Sequence, residues 1–282
     1  MKKIYFFLMS LVASLSAWAI EQDNEGYYLI GSVEDWDAFA AIVAETPTAN
    51  AKMTADVNLG DDQTMIGSGT SDNNSGAGNV VYQGSFDGQG HSLTVNYNST
   101  ELFTAPFRHI QGATIKNLHV KGNITTSSKW AAGIVSGCYG NQVHSYVQNC
   151  VSSVVIISSF VNPLDVSYGP FYSASHHAGI VAHLYCYGQL HIEDCLFDGE
   201  INGEHSSTAA GGLCGFPDGT VNVVNCLQKG TFDLSDIITG SNGSGTMSCT
   251  FGNGYASRVN VTNSYYLNPL GNIHNFLSHL LV

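Results

Sequence analysis

Charged residues are scarce in this chain of 282 residues, at 11% of the total, and basic residues are scarcer still. Nine lysines and arginines face 22 aspartates and glutamates, which gives a formal net charge of −13. Proteins that bind nucleic acid contact its phosphates through Lys and Arg, so this composition argues against a nucleic-acid partner. The remaining polar residues are mostly neutral amides and hydroxyls. Such a surface suits neutral ligands, and it equally suits an extracellular surface with no specific ligand.

Long apolar runs are absent after the first nineteen residues. Two lysines, an apolar run over residues 4–15 and the small-x-small sequence Ala17-Trp18-Ala19 predict a removable signal peptide over residues 1–19. No second apolar stretch of about 18 residues follows, so no transmembrane anchor is expected. No cysteine follows the cleavage site before Cys138, which disfavours a lipid anchor. The sequence therefore predicts a secreted or cell-surface protein of about 263 residues, starting near Ile20.

The seven cysteines are an odd number and lack the spacing of a small disulfide-stapled scaffold. Three of them, Cys150, Cys195 and Cys226, occupy the same position of a repeated motif. Equivalent residues in stacked strands lie about 4.8 Å apart with parallel side-chain directions, which is poor geometry for a disulfide. We expect small buried thiols, with at most one or two bridges.

That repeated motif organises most of the chain. Residues 115–124 begin with a β-branched residue, a spacer, an Asn or Asp, and a small or aliphatic residue, and the pattern returns four times. The five Asn or Asp positions are Asn117, Asn149, Asp194, Asn225 and Asn263. Seven residues after each of these lies a large apolar residue: Ile124, Ile156, Ile201, Phe232 and Leu270. Repeats of this kind predict a solenoid of stacked coils, because each coil buries its apolar face only against the next.

The repeated Asn and Asp side chains are predicted to form a buried, inward-facing ladder at a coil corner, bonding the backbone of their neighbours. The alternative is a row of outward-facing amides that binds a glycan or an ice lattice. The direction of the side chains separates the two interpretations.

Before the repeats, Ser32 and Asp35 fit the start of a helix, and Trp36, Phe39 and Val43 form one apolar stripe with Ala40. We expect this helix to cap the N-terminal end of the stack. Strands are predicted over residues 27–31 and 51–59, and residues 68–79 are predicted to be an exposed loop because almost none of them is apolar.

Several motifs resemble those of secreted right-handed β-helix proteins of the Bacteroides and Prevotella group, which often carry GLUG-type repeats. The residues concerned are the stretch from Gly84 to His91 (Gly-x-Phe-Asp-Gly-Gln-Gly-His) and the three Gly-rich segments that begin at Gly133, Gly179 and Gly212. The resemblance implies an all-β, single-stranded right-handed parallel β-helix at the cell surface, and it implies no established activity. On this basis the chain divides into the signal peptide (1–19), the N-terminal cap and first coils (20–100), the repeated coils (101–268) and a C-terminal cap or truncated end (269–282).

The candidate ligand-binding residues lie where the repeat is interrupted. The step from Asn149 to Asp194 is 45 residues, whereas the preceding step is 32, and the extra residues fall within 158–177. Insertions in a solenoid emerge on one face, which is often the binding face. Aromatic side chains here could stack on sugar rings, or instead fold back over the loop; the candidates are Phe160, Tyr168, Phe171 and Tyr172.

No catalytic residue is assigned. Polysaccharide hydrolases need converging carboxylates, and the best-placed acids, Asp56 and Asp87, have simpler explanations in a strand and a turn. Only Arg108 and Arg258 could help a lyase to stabilise an enolate-like intermediate. An enzyme acting on polysaccharides is therefore the alternative rather than the first expectation.

Metal sites are also weakly supported. Four histidines fall within one predicted coil, and two more could approach from its neighbours: His176, His177, His183 and His191, with His144 and His205. Nothing in the sequence fixes zinc geometry for them. Residues 56–61 alternate oxygen-bearing side chains as calcium sites do but lack a distal Glu, so no cofactor is expected, with calcium the one candidate.

The sequence thus favours a non-enzymatic, adhesin-like β-helix that binds glycans or a host or surface protein. A polysaccharide lyase or hydrolase and a purely structural surface repeat remain as alternatives.

Overall fold

The computed structural model describes residues 20–73, 75–140, 142–160, 175–185, 187–203, 208–234 and 259–267. Within these ranges the chain is nearly all β, and every ladder between two strands is parallel. The predicted signal peptide and the predicted C-terminal segment 269–282 lie outside the described residues. We number the strands in chain order.

One sheet contains eight strands that pair in a single unbranched series. Its strands, in spatial order, are β1 (Tyr28–Ile30), β2 (Ala51–Met53), β4 (Ser85–Asp87), β8 (Thr114–Lys116), β12 (His144–Gln148), β16 (Gln189–Glu193), β21 (Thr220–Val224) and β24 (Val259–Thr262).

A nine-stranded sheet follows the same order along the chain. Its strands are β3 (Val57–Asn58), β5 (Ser92–Ser99), β9 (His119–Thr126), β13 (Val151–Ser158), β17 (Leu196–Phe197), β18 (Glu200–Gly203), β22 (Leu227–Gln228), β23 (Thr231–Leu234) and β25 (Tyr265–Tyr266).

Two four-stranded sheets complete the described β-structure. The first contains β6 (Phe103–Thr104), β10 (Trp130–Ala132), β14 (Ser175–Ala178) and β19 (Thr208–Gly211), and the second β7 (Phe107–Ile110), β11 (Val135–Cys138), β15 (Val181–Leu184) and β20 (Cys214–Pro217). From β6 to β23, each repeat therefore visits the first four-stranded sheet, the second, the eight-stranded sheet and the nine-stranded sheet in turn.

The strand register confirms the positions that the sequence repeat marks. The β-branched residues of the motif are paired side by side across the eight-stranded sheet: Ile115, Val147, Ile192, Val223 and Val261. The apolar residues seven positions after the Asn or Asp are paired across the nine-stranded sheet: Ile124, Ile156, Ile201 and Phe232. Leu270 lies outside the described residues. Equivalent residues thus stack in rows, which are fully buried except at Val261 and Phe232.

The predicted helix is present as α1 (Val33–Glu45), with Ser32 as its N-cap accepting a hydrogen bond from the amide of Asp35. Trp36 and Phe39 are buried and pack on the first β-strands, with ring centroids 5.9 and 6.3 Å from that of Phe86. The strand predicted over residues 51–59 is instead two strands, β2 and β3, in different sheets, because the chain turns a corner between them.

The Asn and Asp residues form a ladder, but the predicted burial is wrong. Their backbones adopt positive φ angles between 47° and 54°, which Asn and Asp tolerate better than most residues. The side chains bond one another rather than the backbone: Asn149 Nδ2 donates to Asn117 Oδ1 at 2.8 Å and Asn225 Nδ2 to Asp194 Oδ1 at 3.1 Å. Asn117 is half-buried and the others are exposed. The left-handed residue occupies the outside of the corner, so the residue that follows it points inward.

The inward residues at this corner include Cys150, Cys195 and Cys226. These three thiols, with Cys138 and Cys214, are free and buried, as predicted. The sulfur atoms of Cys195 and Cys226 donate to the carbonyl oxygens of Val147 and Ile192 in the preceding repeat, at 3.4 and 3.3 Å. The other two cysteines of the chain lie outside the described residues.

The Gly-rich segments mark the turns between the two four-stranded sheets. A Cβ atom on Gly133 would clash with the carbonyl oxygen of Gly179, and one on Gly179 would clash with that of Gly212 and with the Phe197 ring. Neighbouring repeats approach so closely here that only glycine fits.

A second buried cluster lies apart from the main core and contains large aromatic residues, among them Phe103, Trp130, Tyr139 and Tyr185. Residues 68–80 fold over it: Tyr139 accepts a hydrogen bond from Asn79 Nδ2 at 2.8 Å, and the Tyr185 hydroxyl donates to Asp72 at 3.0 Å. The prediction of a simple exposed loop over residues 68–79 is therefore incomplete. Most of these side chains are exposed, but those of Asn79 and Asp72 form hydrogen bonds with the hydroxyl groups of the buried Tyr139 and Tyr185.

Candidate functional site

The outer face of the eight-stranded sheet carries the best-developed surface among the described residues. In β12, β16 and β21 buried and partly exposed residues alternate, as expected for strands with one face on the core. Three rows of outward residues result, of which the shortest is His144, Gln189 and Thr220; the other two are longer. The first row is Ser85, Thr114, Tyr146, His191, Asn222 and Asn260; the second is Asp87, Lys116, Gln148, Glu193, Val224 and Thr262.

Three aromatic rings stack at the centre of this face. The Tyr146 and His191 rings are nearly parallel, with centroids 4.6 Å apart and planes inclined by 18°. This separation matches the spacing of adjacent strands, about 4.8 Å, so the rings stand face to face across β12 and β16. His144 lies beside both, with its ring centroid 5.0 Å from that of His191.

One face of the Tyr146 ring is turned toward small side chains. His191 covers the ring on the β16 side, so the other face is turned toward β8, where the paired residue is Thr114. The next residue in the row is Ser85. We call Tyr146, Thr114 and Ser85 the Tyr146 shelf: an aromatic wall standing beside two short hydroxyl side chains.

The second-row residues beside Thr114 and Ser85 are Lys116 and Asp87, and amide side chains lie beside Tyr146 and beyond His191. Gln148 Nε2 donates to Glu193 Oε2 at 2.8 Å, and Asn260 Nδ2 donates to Asn222 Oδ1 at 2.9 Å. Each amide used in this way keeps further donor or acceptor positions for a ligand. Lys116 lies 3.3 Å from Asp87, so the nearest positive charge is paired.

The neutral form of His191 is favoured. Burial, followed by repulsion from His144, lowers the pKa of His191, while Glu193 acts in the opposite direction. The arrangement can therefore offer a ring face for the apolar side of a ligand, with amides, hydroxyls and one carboxylate for its polar edge.

Of the four residues predicted from the insertion, the structure describes Phe160, which does not lie at this shelf. Phe160 follows β13 of the nine-stranded sheet and is half-buried. Tyr168, Phe171 and Tyr172 lie outside the described residues, so their predicted ligand role is untested. The shelf was missed because Tyr146 falls in a regular strand; its signal was the alternation in His-Ser-Tyr-Val-Gln, which places polar and aromatic residues on one face.

In the described part of the chain, the histidines that were predicted to lie close together occupy two separate places. His176, His177 and His183 are buried in β14 and β15 of the four-stranded sheets, whereas His191 lies in the eight-stranded sheet beside His144. His205 lies outside the described residues. The chain turns a corner between β15 and β16, which is why proximity in sequence does not become proximity in space.

Ser153, His119 and Asp198 meet on the outer face of the nine-stranded sheet, a constellation that sequence reasoning did not identify. Ser153 Oγ donates to Asp198 Oδ1 at 2.5 Å, and His119 Nε2 lies 2.9 Å from Ser153 Oγ. In an activated serine the hydroxyl proton goes to the imidazole, and the carboxylate holds the other ring nitrogen. Here the serine stands between the other two groups, so this order does not build a nucleophile.

In the candidate calcium segment, the side-chain oxygens of Asp56 and Asn58 do not converge on a common point. Asp56 Oδ1 accepts the amide of Ser92 at 2.8 Å, whereas Asn58 Oδ1 accepts the amide of Gly60 in its own turn at 3.1 Å. Calcium needs six to eight converging oxygens, and these two serve different neighbours. Across the described ranges, no group of three or more His, Cys, Asp or Glu residues lies close enough to hold a metal ion.

The helix α1 has 13 residues, and no helix in the described part of the chain is long and apolar enough to cross a membrane.

Comparison with known proteins gives a structural likeness without a sequence relative. No family model matches the chain, and no curated protein matches it. Among solved structures, it is similar to the crystal structure of a "putative immunoglobulin A1 protease" from Bacteroides ovatus, with a TM-score of 0.58 and 14% identity over 87% of this chain and 76% of that one. At this identity the likeness shows a shared all-β fold with parallel sheets and carries no statement about activity.

Proposed function

We propose that this chain is an exported, surface-exposed parallel β-helix that binds neutral glycans without cleaving them. The order of the strands supports the architecture, because successive repeats visit the four sheets in the same sequence and pair in parallel with the repeat before. Crossover connections between parallel strands are right-handed in nearly all proteins, which favours a right-handed helix. In this arrangement α1 caps the N-terminal end, where Trp36 and Phe39 cover the first strands.

The Tyr146 shelf is the observation that carries the binding proposal. A pyranose ring has an apolar face of C–H bonds and a rim of hydroxyl groups. The uncovered face of Tyr146 offers the negative side of an aromatic quadrupole to such C–H bonds. Thr114 and Ser85 are short side chains beside it, and Gln148, Lys116 and Asp87 lie in the neighbouring row to accept or donate hydrogen bonds.

The net negative charge of the chain favours neutral glycans over acidic ones. The chain carries a net charge of −13, and the mature form is more negative once the two lysines of the leader are removed. An acidic polysaccharide would be repelled by this field, whereas a neutral one would not. The leader and the scarcity of basic residues support export and disfavour intracellular nucleic-acid partners.

A glycan array with the mature protein tests this proposal, scored for both retention of the protein and release of shortened products. Retention on neutral glycans without product is the expected result. Product release would establish the polysaccharide-active alternative, and silence in both readouts would favour a structural repeat or a protein ligand.

A further inference from the structure

We propose that His144 and His191 form a binding site for a divalent transition metal, with Cu²⁺ and Ni²⁺ preferred over Zn²⁺. Nδ1 of His144 lies 2.8 Å from Nε2 of His191, across neighbouring strands on the outer face of the eight-stranded sheet. Imidazole nitrogen is a preferred ligand of these metals. The site shares His191 with the stack that supports the Tyr146 shelf, but it does not rest on the function proposed above and goes beyond it.

The separation of the two nitrogens is compatible with coordination of one ion, and the general order of metal affinities places Cu²⁺ above Zn²⁺ at such a site. With metal–nitrogen bonds of about 2.05 Å, two ligands at 90° place their nitrogens about 2.9 Å apart, and two at the tetrahedral angle about 3.3 Å apart. The observed 2.8 Å is the length of a hydrogen bond between the two rings and is also close to the first value. Metal binding would replace this hydrogen bond, with the shared proton moving to the other nitrogen of its own ring through solvent. Square-planar and octahedral coordination use the 90° angle, and these geometries are typical of Cu²⁺ and Ni²⁺.

A carboxylate stands in the position that supports a metal-binding histidine. Glu193 Oε1 lies 3.7 Å from Nδ1 of His191, and Gln148 holds the other oxygen of Glu193 at 2.8 Å. A carboxylate beside Nδ1 favours the tautomer with its proton there, which leaves Nε2 to bind the metal. Burial and the neighbouring His144 lower the pKa of His191, so the ring is available in its neutral form.

Access to the site is open. His144 is exposed, so its ring can turn toward an ion held at Nε2 of the half-buried His191, whose ring stays stacked on Tyr146. The protein supplies two ligands here, since the described residues bring no third His, Cys, Asp or Glu into range. Water would complete the coordination shell.

Titration of the full mature chain with NiCl₂ and CuCl₂, followed by calorimetry, tests the site. One equivalent should bind, and His144→Ala or His191→Ala should each weaken binding at least tenfold, because the second imidazole binds intramolecularly. His91→Ala, which removes a half-exposed histidine in the turn before β5, should leave the affinity unchanged. Circular dichroism of each variant checks folding.

The Cu²⁺ complex gives a second readout. Its electron paramagnetic resonance spectrum should show two coordinated nitrogens in the wild type and one in each single variant, and affinity should fall as pH is lowered through the histidine range. The site is overturned if the wild type does not bind, or if the double variant binds as tightly as the wild type. It is likewise overturned if His91→Ala has the same effect as His144→Ala.

Discussion

The ring of Tyr146 is stacked on His191 on one side and faces Thr114 on the other. The first contact fixes the orientation of the tyrosine ring, because the two planes are held within 18° of parallel. The second leaves the opposite ring face beside a short side chain. A rigid aromatic surface next to a small residue is a common way to build a binding platform from a regular strand.

Filling the shelf should abolish glycan binding without unfolding the protein. Thr114→Phe places a ring where the ligand would stack, so affinity for an array-selected glycan should fall at least tenfold, measured by calorimetry. Thr125→Phe makes the same change at an exposed position of the nine-stranded sheet and should bind normally. Equal loss in both variants would contradict the placement of the ligand.

Acid should destabilise the fold between about pH 6.5 and pH 4, because buried histidines stay neutral in the folded state. Burial lowers the pKa of His109 to about 4, of His177 to about 4 and of His183 to about 3, against an ordinary value of 6.5. Below pH 6.5 the unfolded chain binds protons that the folded chain does not, so stability falls as pH falls, by about 1.4 kcal/mol per pH unit for each such histidine.

Urea unfolding at pH 7 and pH 5 measures this effect. His177→Gln should reduce the difference between the two pH values, since Gln does not titrate. The carboxylates with lowered pKa values, such as Asp56, titrate below this window and do not confuse the result. A stability that is flat from pH 7 to pH 5 would show that these histidines are not buried as neutral groups.

Gly179→Ala should be severely destabilising. The added methyl group would meet the carbonyl oxygen of Gly212 and the Phe197 ring, and overpacking of this kind costs about 1–3 kcal/mol or more. Gly60→Ala is the matched control: its φ of 60° strains an alanine, but no atom lies within 4 Å of the new Cβ. Thermal unfolding should show a larger loss for Gly179→Ala, and the reverse order would refute the close approach of repeats.

The exposed Asn ladder predicts which of two substitutions at Asn149 destabilises the fold more. Asn149→Gly keeps the left-handed backbone and loses only the bond to Asn117, so it should cost about 1 kcal/mol or less. Asn149→Val loses the same bond and also strains the backbone at a φ of 50°, so it should cost clearly more. Chemical denaturation of both variants checks the order. Equal costs would mean that backbone conformation does not select Asn here.

Sequence periodicity was sufficient for the repeat, the parallel strand pairing and the core rows, because the same residue of each repeat occupies the same position in its strand. The helix was also predictable, since Ser32, Asp35, Trp36 and Phe39 follow local rules. The direction of the Asn ladder was not, because a left-handed residue at a corner points outward for reasons of backbone geometry rather than polarity.

The candidate site was harder to predict for a related reason. Tyr146 and His191 are 45 residues apart in the sequence. The residues around each of them do not indicate which side chains will lie beside them in neighbouring strands, or how large those side chains are. The shelf exists because Thr114 and Ser85 are small in two further repeats, which only the strand register reveals. Likewise, the buried histidines and the His144–His191 pair separate because a corner falls between β15 and β16.

The most direct test of glycan binding at the shelf is the affinity of the mature protein and of Tyr146→Ala for a neutral oligosaccharide selected on the array. Loss of the stacking surface should weaken binding about tenfold or more, as expected for about 1.4 kcal/mol, while Tyr265→Ala, an exposed tyrosine of the nine-stranded sheet, should bind like the wild type. If Tyr146→Ala binds as tightly as the wild type, the ligand does not occupy the Tyr146 shelf.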